Sequence, residues 1–169
     1  MIRIIVTGAA GRMGRRLVAN IAESGDLKLA GATERPGSEF LGLDAGTVAG
    51  VAPQGVRITD DFAGLVSQAD AVIDFSTGAV IANARLAASK GLSIVIGTTA
   101  LTADDKAELK KLADAGAKIV FASNYSVGVN LLFYLTKLAA QTLSDDFDIE
   151  IIEAHHNQKK DAPSGTAVS

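Results

Sequence analysis

Along the chain, short runs rich in strand-forming apolar residues alternate with longer helix-like segments. Ile2–Thr7, Leu27–Thr33, Ala71–Phe75, Leu92–Ile96 and Lys118–Ala122 read as strands. Arg12–Ser24, Gly78–Ser89, Asp104–Asp114 and Val127–Leu143 read as helices, with a short one at Asp61–Ser67 capped by Asp60 or Asp61. The runs near residues 72, 94 and 119 are continuous Val/Ile/Phe, the pattern of a parallel sheet covered on both faces. Repeated strand–helix–strand units predict a doubly wound parallel α/β fold. The stretch "FDIEIIEA" alternates instead, Phe147, Ile149 and Ile151 against Asp148 and Glu150. It predicts a half-exposed strand at Asp148–Ala154 and a change of architecture near residues 125–130. Between Arg35 and Val56 the chain is Gly- and Pro-punctuated, which predicts a long functional loop.

Composition narrows the function classes. Net charge is −3 with both signs interspersed, and aromatics make up 5%, which argues against a nucleic-acid partner. Cysteine is absent, so disulfides and thiolate metal sites are excluded. The N-terminus enters a strand at once, without a cleavage signal, and no long apolar run suggests a membrane span. A cytoplasmic protein is the expectation.

Chemistry begins at "VTGAAGRMG", where Gly8, Gly11 and Gly14 fall directly after a predicted strand and run into a predicted helix. With Ala9, Ala10, Arg12 and Met13 they form a glycine turn that lets a backbone approach a pyrophosphate at a helix N-terminus. Glu34 ends the second strand, where an acid accepts from the adenosine ribose hydroxyls. Together these features predict a Rossmann dinucleotide site. Glu34 favours the free ribose of NADH, and Arg35 beside it suits the 2′-phosphate of NADPH, so both cofactors are expected. Arg12 is a further phosphate candidate, while Arg15 and Arg16 read as a solvated helix face. The other strand ends carry small or hydroxyl residues: Phe75 and its neighbours in "DFST", Gly97, Thr98 and Thr99, and Ala122, Ser123, Asn124 and Tyr125. As a set they predict nicotinamide contacts, although Thr77 or Ser126 could equally be helix caps.

The only histidines, His155 and His156, stand in "EAHHNQKKDAPSGTA" with Lys159 and Lys160. Glu153 and the histidine pair lack the spacing of a zinc site, so no metal is expected. Histidine is the usual proton donor near neutrality, lysines hold carboxylates, and "PSGTA" reads as a helix start capped by Ser164 with Gly165 and Thr166 exposing N–H groups. These features describe a site for a small dicarboxylate; a polar linker with surface charges is the other reading.

"GAAGRMG", "VIGTT", "NYSVGVN" and "IEIIEAHHNQKKDAPSGTA" resemble the bacterial dihydrodipicolinate reductases of lysine and diaminopimelate synthesis, along the whole chain. The resemblance implies His155 as proton donor and Lys159 as partner lysine. His156, Lys159, Gly165 and Thr166 would contact the substrate carboxylates. It implies NADH or NADPH at Gly8–Gly14, Glu34, Arg35, Gly97–Thr99 and Ala122–Tyr125. It further implies a nucleotide domain over 1–126, and at 127–169 the start of an α+β substrate domain that forms a homotetramer in longer family members. With only the first strand and catalytic loop of that second domain, turnover is expected to be weak or absent. The rival readings are a dinucleotide-binding module without turnover and an aspartate-dehydrogenase-like oxidoreductase.

Overall fold

The computed structural model describes residues 1–98, 101–157 and 162–168, and the chain divides into two compact units, Met1–Phe121 and Ala122–Ser169. The first unit is built on six parallel strands: β1 (Ile2–Thr7), β2 (Leu27–Thr33), β3 (Ile58–Thr59), β4 (Ala71–Asp74), β5 (Ser93–Ile96) and β6 (Lys118–Phe121). Their order is β3-β2-β1-β4-β5-β6. The direction of winding therefore reverses between β1 and β4, and ligands of such sheets bind where that reversal opens a crevice at the carboxyl ends.

Successive strand residues face opposite sides, so β1 feeds two cores. Ile4 and Val6 pack with Val18 and Ile21 of α1 (Arg12–Glu23) and with Leu29 and Ile58. On the other side, Ile5 packs with Val72 and Ile94 under α4 (Val80–Ser89), and Leu109 of α5 (Ala103–Asp114) closes that layer. Each such side chain, once fully buried, contributes about 1.5–3 kcal/mol. Helix α5 starts on a capping box in which Thr102 Oγ1 accepts the Asp105 N–H at 3.1 Å and Asp105 accepts the Thr102 N–H at 2.9 Å. The starts of β1 and β4 are joined by Arg3, whose guanidinium and backbone N–H both donate to Asp70.

The predicted long loop contains structure of its own. Asp44 caps a short helix, α2 (Ala45–Ala49), and its carboxylate also accepts the Gln54 and Gly55 N–H groups at 3.0 and 2.8 Å. Burial pushes the Asp44 carboxyl up, but these backbone donors outweigh it and hold the group below the usual carboxylate range. A second short helix, α3 (Phe62–Leu65), is capped by Asp61. Strand β6, expected to be covered on both faces, leaves Val120 55% exposed because it is the sheet's edge.

In the second unit, Ser126 caps α6 (Val127–Leu143), a helix with no buried residue, and α7 (Gly165–Val168) is a single turn. The predicted strand at Asp148–Ala154 is not formed; the segment is irregular and exposed. A strand needs a neighbour for its N–H and C=O groups, and among the described residues of this unit no strand lies beside it.

Candidate functional site

A cavity of about 560 Å³ opens at the carboxyl ends of β1, β2 and β4, lined by Gly8, Gly11, Glu34, Arg35, Phe75 and Ser76 among others. The glycine turn forms its floor. Gly8 takes a left-handed φ of 66°, and Gly11 is the N-cap of α1 without a side-chain cap. The first N–H groups of a twelve-residue helix are thus left to a ligand. A methyl group at Gly14 would collide with the Gly8 carbonyl oxygen and the Ala9 backbone, so only glycine lets α1 sit this close to β1. Ala9 and Ala10 are buried beneath the turn, whereas Arg12 and Met13 are exposed at the start of the helix.

Glu34 Oε1 accepts the Ala10 N–H at 3.0 Å, and Oε2 accepts the N–H of Arg35 at 3.3 Å. Arg15 departs from its predicted place on a solvated face. Its Nε donates to the Ala10 carbonyl at 2.7 Å and its guanidinium lies 5.1 Å from the Phe40 ring centre, so it clamps the turn rather than facing water. Phe75 and Gly97 meet at the ends of β4 and β5, where a side chain on Gly97 would strike the Phe75 ring. Thr98 is buried next to them, and Thr99 lies outside the described residues. The open helix start, the close glycine packing and the cavity fit a dinucleotide.

The role of Asp74 and its contact with Asn83 at this cleft were not singled out from sequence. Asp74, fully buried at the end of β4, accepts the Ser76 N–H and hydroxyl at 2.9 and 2.7 Å and the Asn83 amide at 3.1 Å. It fixes the turn that carries Phe75. The signal was present as Asp followed two residues later by Ser, the spacing of an Asx turn.

The remaining candidates belong to the second unit. Asn124 accepts the Ser126 N–H at 2.8 Å and its amide donates to Thr166 Oγ1 at 3.3 Å, so the 122–125 segment and the Ser164–Thr166 turn touch. Ala122 and Ser123 lead into that contact, and burial pushes the Tyr125 phenol up from its ordinary pKa. Ser164 is 3% exposed, and its hydroxyl accepts the Ala167 N–H at 3.0 Å, as predicted for a cap. Gly165 and Thr166 form the first residues of α7. Glu153 accepts the N–H and the hydroxyl of Ser164, and its Oε2 stands 3.4 Å from His155 Nδ1. His156 is exposed beside it, while Lys159 and Lys160 lie outside the described residues. Among the described residues no cluster of His, Asp and Glu could hold a metal ion, and no helix is long and apolar enough to cross a membrane.

Residues 2–125 match the family model described as dihydrodipicolinate reductase, N-terminus, and residues 128–169 match its C-terminus. A 4-hydroxy-tetrahydrodipicolinate reductase of Anaeromyxobacter sp. (strain Fw109-5) is 51% identical over 170 residues, covering 100% of this chain and 62% of that protein. The enzyme of the same name from Rhodopseudomonas palustris (strain HaA2) is 50% identical over 98% of this chain and 61% of its own length. The chain thus spans about three-fifths of the curated relatives it matches. Among solved structures, a dipicolinate-bound dihydrodipicolinate reductase from Paenisporosarcina sp. TG-14 superposes with a TM-score of 0.75 at 28% identity, over 99% of this chain and 63% of that one. The WlbA dehydrogenase of Chromobactrium violaceum, 20% identical with a TM-score of 0.60 over 84% of this chain and 40% of its own, shares the fold.

Proposed function

The chain belongs to the dihydrodipicolinate reductase family, and from that premise we propose that it takes part in the NADH- or NADPH-dependent reduction of 4-hydroxy-tetrahydrodipicolinate to tetrahydrodipicolinate. Half-identity along the whole chain to a reductase of that substrate is the observation that carries the reading. When bound, the reduced nicotinamide supplies the hydride, which goes to C4 of the cyclic substrate.

The residues of the chain do the rest. The Gly8–Gly14 turn and the start of α1 bind the pyrophosphate, Glu34 and Arg35 meet the adenosine ribose, and Phe75, Gly97 and Thr98 serve the nicotinamide end, a role the resemblance also gives to Thr99 and to Ala122–Tyr125. Loss of the substrate's 4-hydroxyl as water gives the conjugated C=C–C=N system; hydride addition to its C4 leaves negative charge, and His155 gives the proton that neutralises it. Lys159, His156 and the Ser164–Thr166 turn hold the two carboxylates. Residues 127–169 begin the substrate domain, and 1–126 hold the nucleotide.

A second reading, dinucleotide binding without turnover, draws support from the Asp148–Ala154 segment, whose backbone has no strand beside it among the described residues. Calorimetric titration with NADH, NADPH and pyridine-2,6-dicarboxylate separates the two. Tight dicarboxylate binding to the cofactor complex, with loss of reduced-nicotinamide absorbance on adding substrate, supports the reductase. Cofactor binding without either effect supports the binding module, and failure to bind any nucleotide would sink both.

A further inference from the structure

We propose that Glu153 is a positioning residue that holds the proton-donating histidine and the Ser164–Thr166 turn in one geometry; the inference rests on the roles proposed above for those groups. Both of its oxygens meet Ser164, and one of them also faces His155. Oε1 accepts the Ser164 N–H at 2.7 Å, while Oε2 accepts the Ser164 hydroxyl and stands 3.4 Å from His155 Nδ1. The Ser164 hydroxyl in turn accepts the Ala167 N–H, so one chain of bonds runs from the carboxylate into α7. Bonds to an ionised acceptor are about twice as strong as neutral ones, and Ser164, 3% exposed, makes them away from solvent.

The same carboxylate sets the chemistry of the imidazole. A negative oxygen facing Nδ1 favours the proton there, which leaves Nε2 as the nitrogen that gains and gives up the transferable proton. His155 keeps 41% of its side-chain surface open, whereas Glu153 keeps 27%. The donor is therefore the more accessible of the two side chains.

The test uses the full chain saturated with NADH, as wild type, Glu153→Gln and Glu153→Asp. Pyridine-2,6-dicarboxylate affinity is measured by calorimetry, and the side-chain nitrogen resonances of His155 by NMR on the same samples. Glu153→Gln preserves shape and removes the charge. It is expected to weaken dicarboxylate binding by about 10–100-fold and to shift the His155 nitrogens, with Glu153→Asp recovering part of both. A purely structural role would lower the melting temperature and leave the His155 resonances of the folded protein in place. Wild-type affinity and unchanged resonances in Glu153→Gln would overturn the proposal. Wild type that ignores the dicarboxylate, with resonances that still shift in the variant, would overturn the substrate reading and uphold the positioning role. Should Glu153→Gln not fold, Glu153→Asp decides by the same two readouts: it keeps the charge on a shorter arm, so intermediate values are expected and wild-type values in both would overturn the proposal.

Discussion

Glu34 Oε1 receives the Ala10 N–H at 3.0 Å, so the acid that ends β2 is tied to the turn that ends β1. The carboxylate is thereby held at the side of the cleft where Arg35 begins. Glu34→Gln keeps an acceptor for Ala10 but removes the charge that repels a 2′-phosphate. The ratio of NADPH to NADH affinity is expected to rise by about tenfold, read by calorimetry with each cofactor. An unchanged ratio would show that Glu34 does not face the ribose.

Gly14 and Gly97 predict opposite kinds of failure. At Gly14 the obstacle to a methyl group is backbone, the Gly8 carbonyl oxygen and Ala9, which cannot move without parting α1 from β1. Gly14→Ala is expected to cost roughly 3 kcal/mol or more. At Gly97 the obstacle is the far end of the Phe75 ring, which can swing aside. Gly97→Ala is expected to fold near normally and to bind reduced cofactor more weakly. Denaturant midpoints beside cofactor titrations test the contrast, and equal stability losses would refute it.

Thr7 is 1% exposed at the end of β1, and its Oγ1 has no hydrogen-bond partner among the described residues. Burying an unpaired hydroxyl costs about 1–3 kcal/mol. Thr7→Val keeps the shape and removes the group, so stability is expected to rise by about 1 kcal/mol. Chemical denaturation of the ligand-free protein measures it. A destabilised variant would mean that the hydroxyl is paired in solution.

Asp70 predicts an acid response. Its hydrogen bonds with the Arg3 guanidinium and backbone N–H hold the carboxyl down at about 2. An unfolded aspartate titrates near about 4, so the folded protein binds this proton less readily than the unfolded chain. The contribution is complete above about pH 4 and is lost as pH falls toward about 2. Both partners are nearly half exposed, so solvent screening keeps it small. The gap in melting temperature between wild type and Asp70→Asn should narrow over that interval; a constant gap would exclude the pair as its source.

Elements with repeated local cues were legible in the chain. Strands β1, β2, β4 and β5 are short runs rich in Ile, Val, Leu and Ala, and the Gly8–Gly14 turn carries its glycines where backbone contact requires them. The Ser164 cap was equally legible, because capping depends on a side chain and an N–H three residues away. What escaped depends on partners distant in sequence or on groups meeting in space. The Asp44 carboxylate gathers N–H groups from Gln54 and Gly55, and no periodicity reports such a knot. Arg15 looked like surface because its partner Phe40 lies 25 residues away in a segment without pattern. The Asp148–Ala154 alternation was real, but alternation states which side chains share a face and supplies no neighbouring strand.

The order of the sheet also governs when it can assemble. The first of the six strands in chain order, β1, occupies an interior position between β2 and β4. Its pairing with β4 waits until residues 71–74 have been made, because Ile4 through Thr7 align with Ala71 through Asp74. At about 5–20 residues per second the nascent chain spends several seconds with one flank of its central strand uncovered. In that interval the β4-facing edge of β1 is open to wrong pairings, and the arrival of Asp74 ends the exposure.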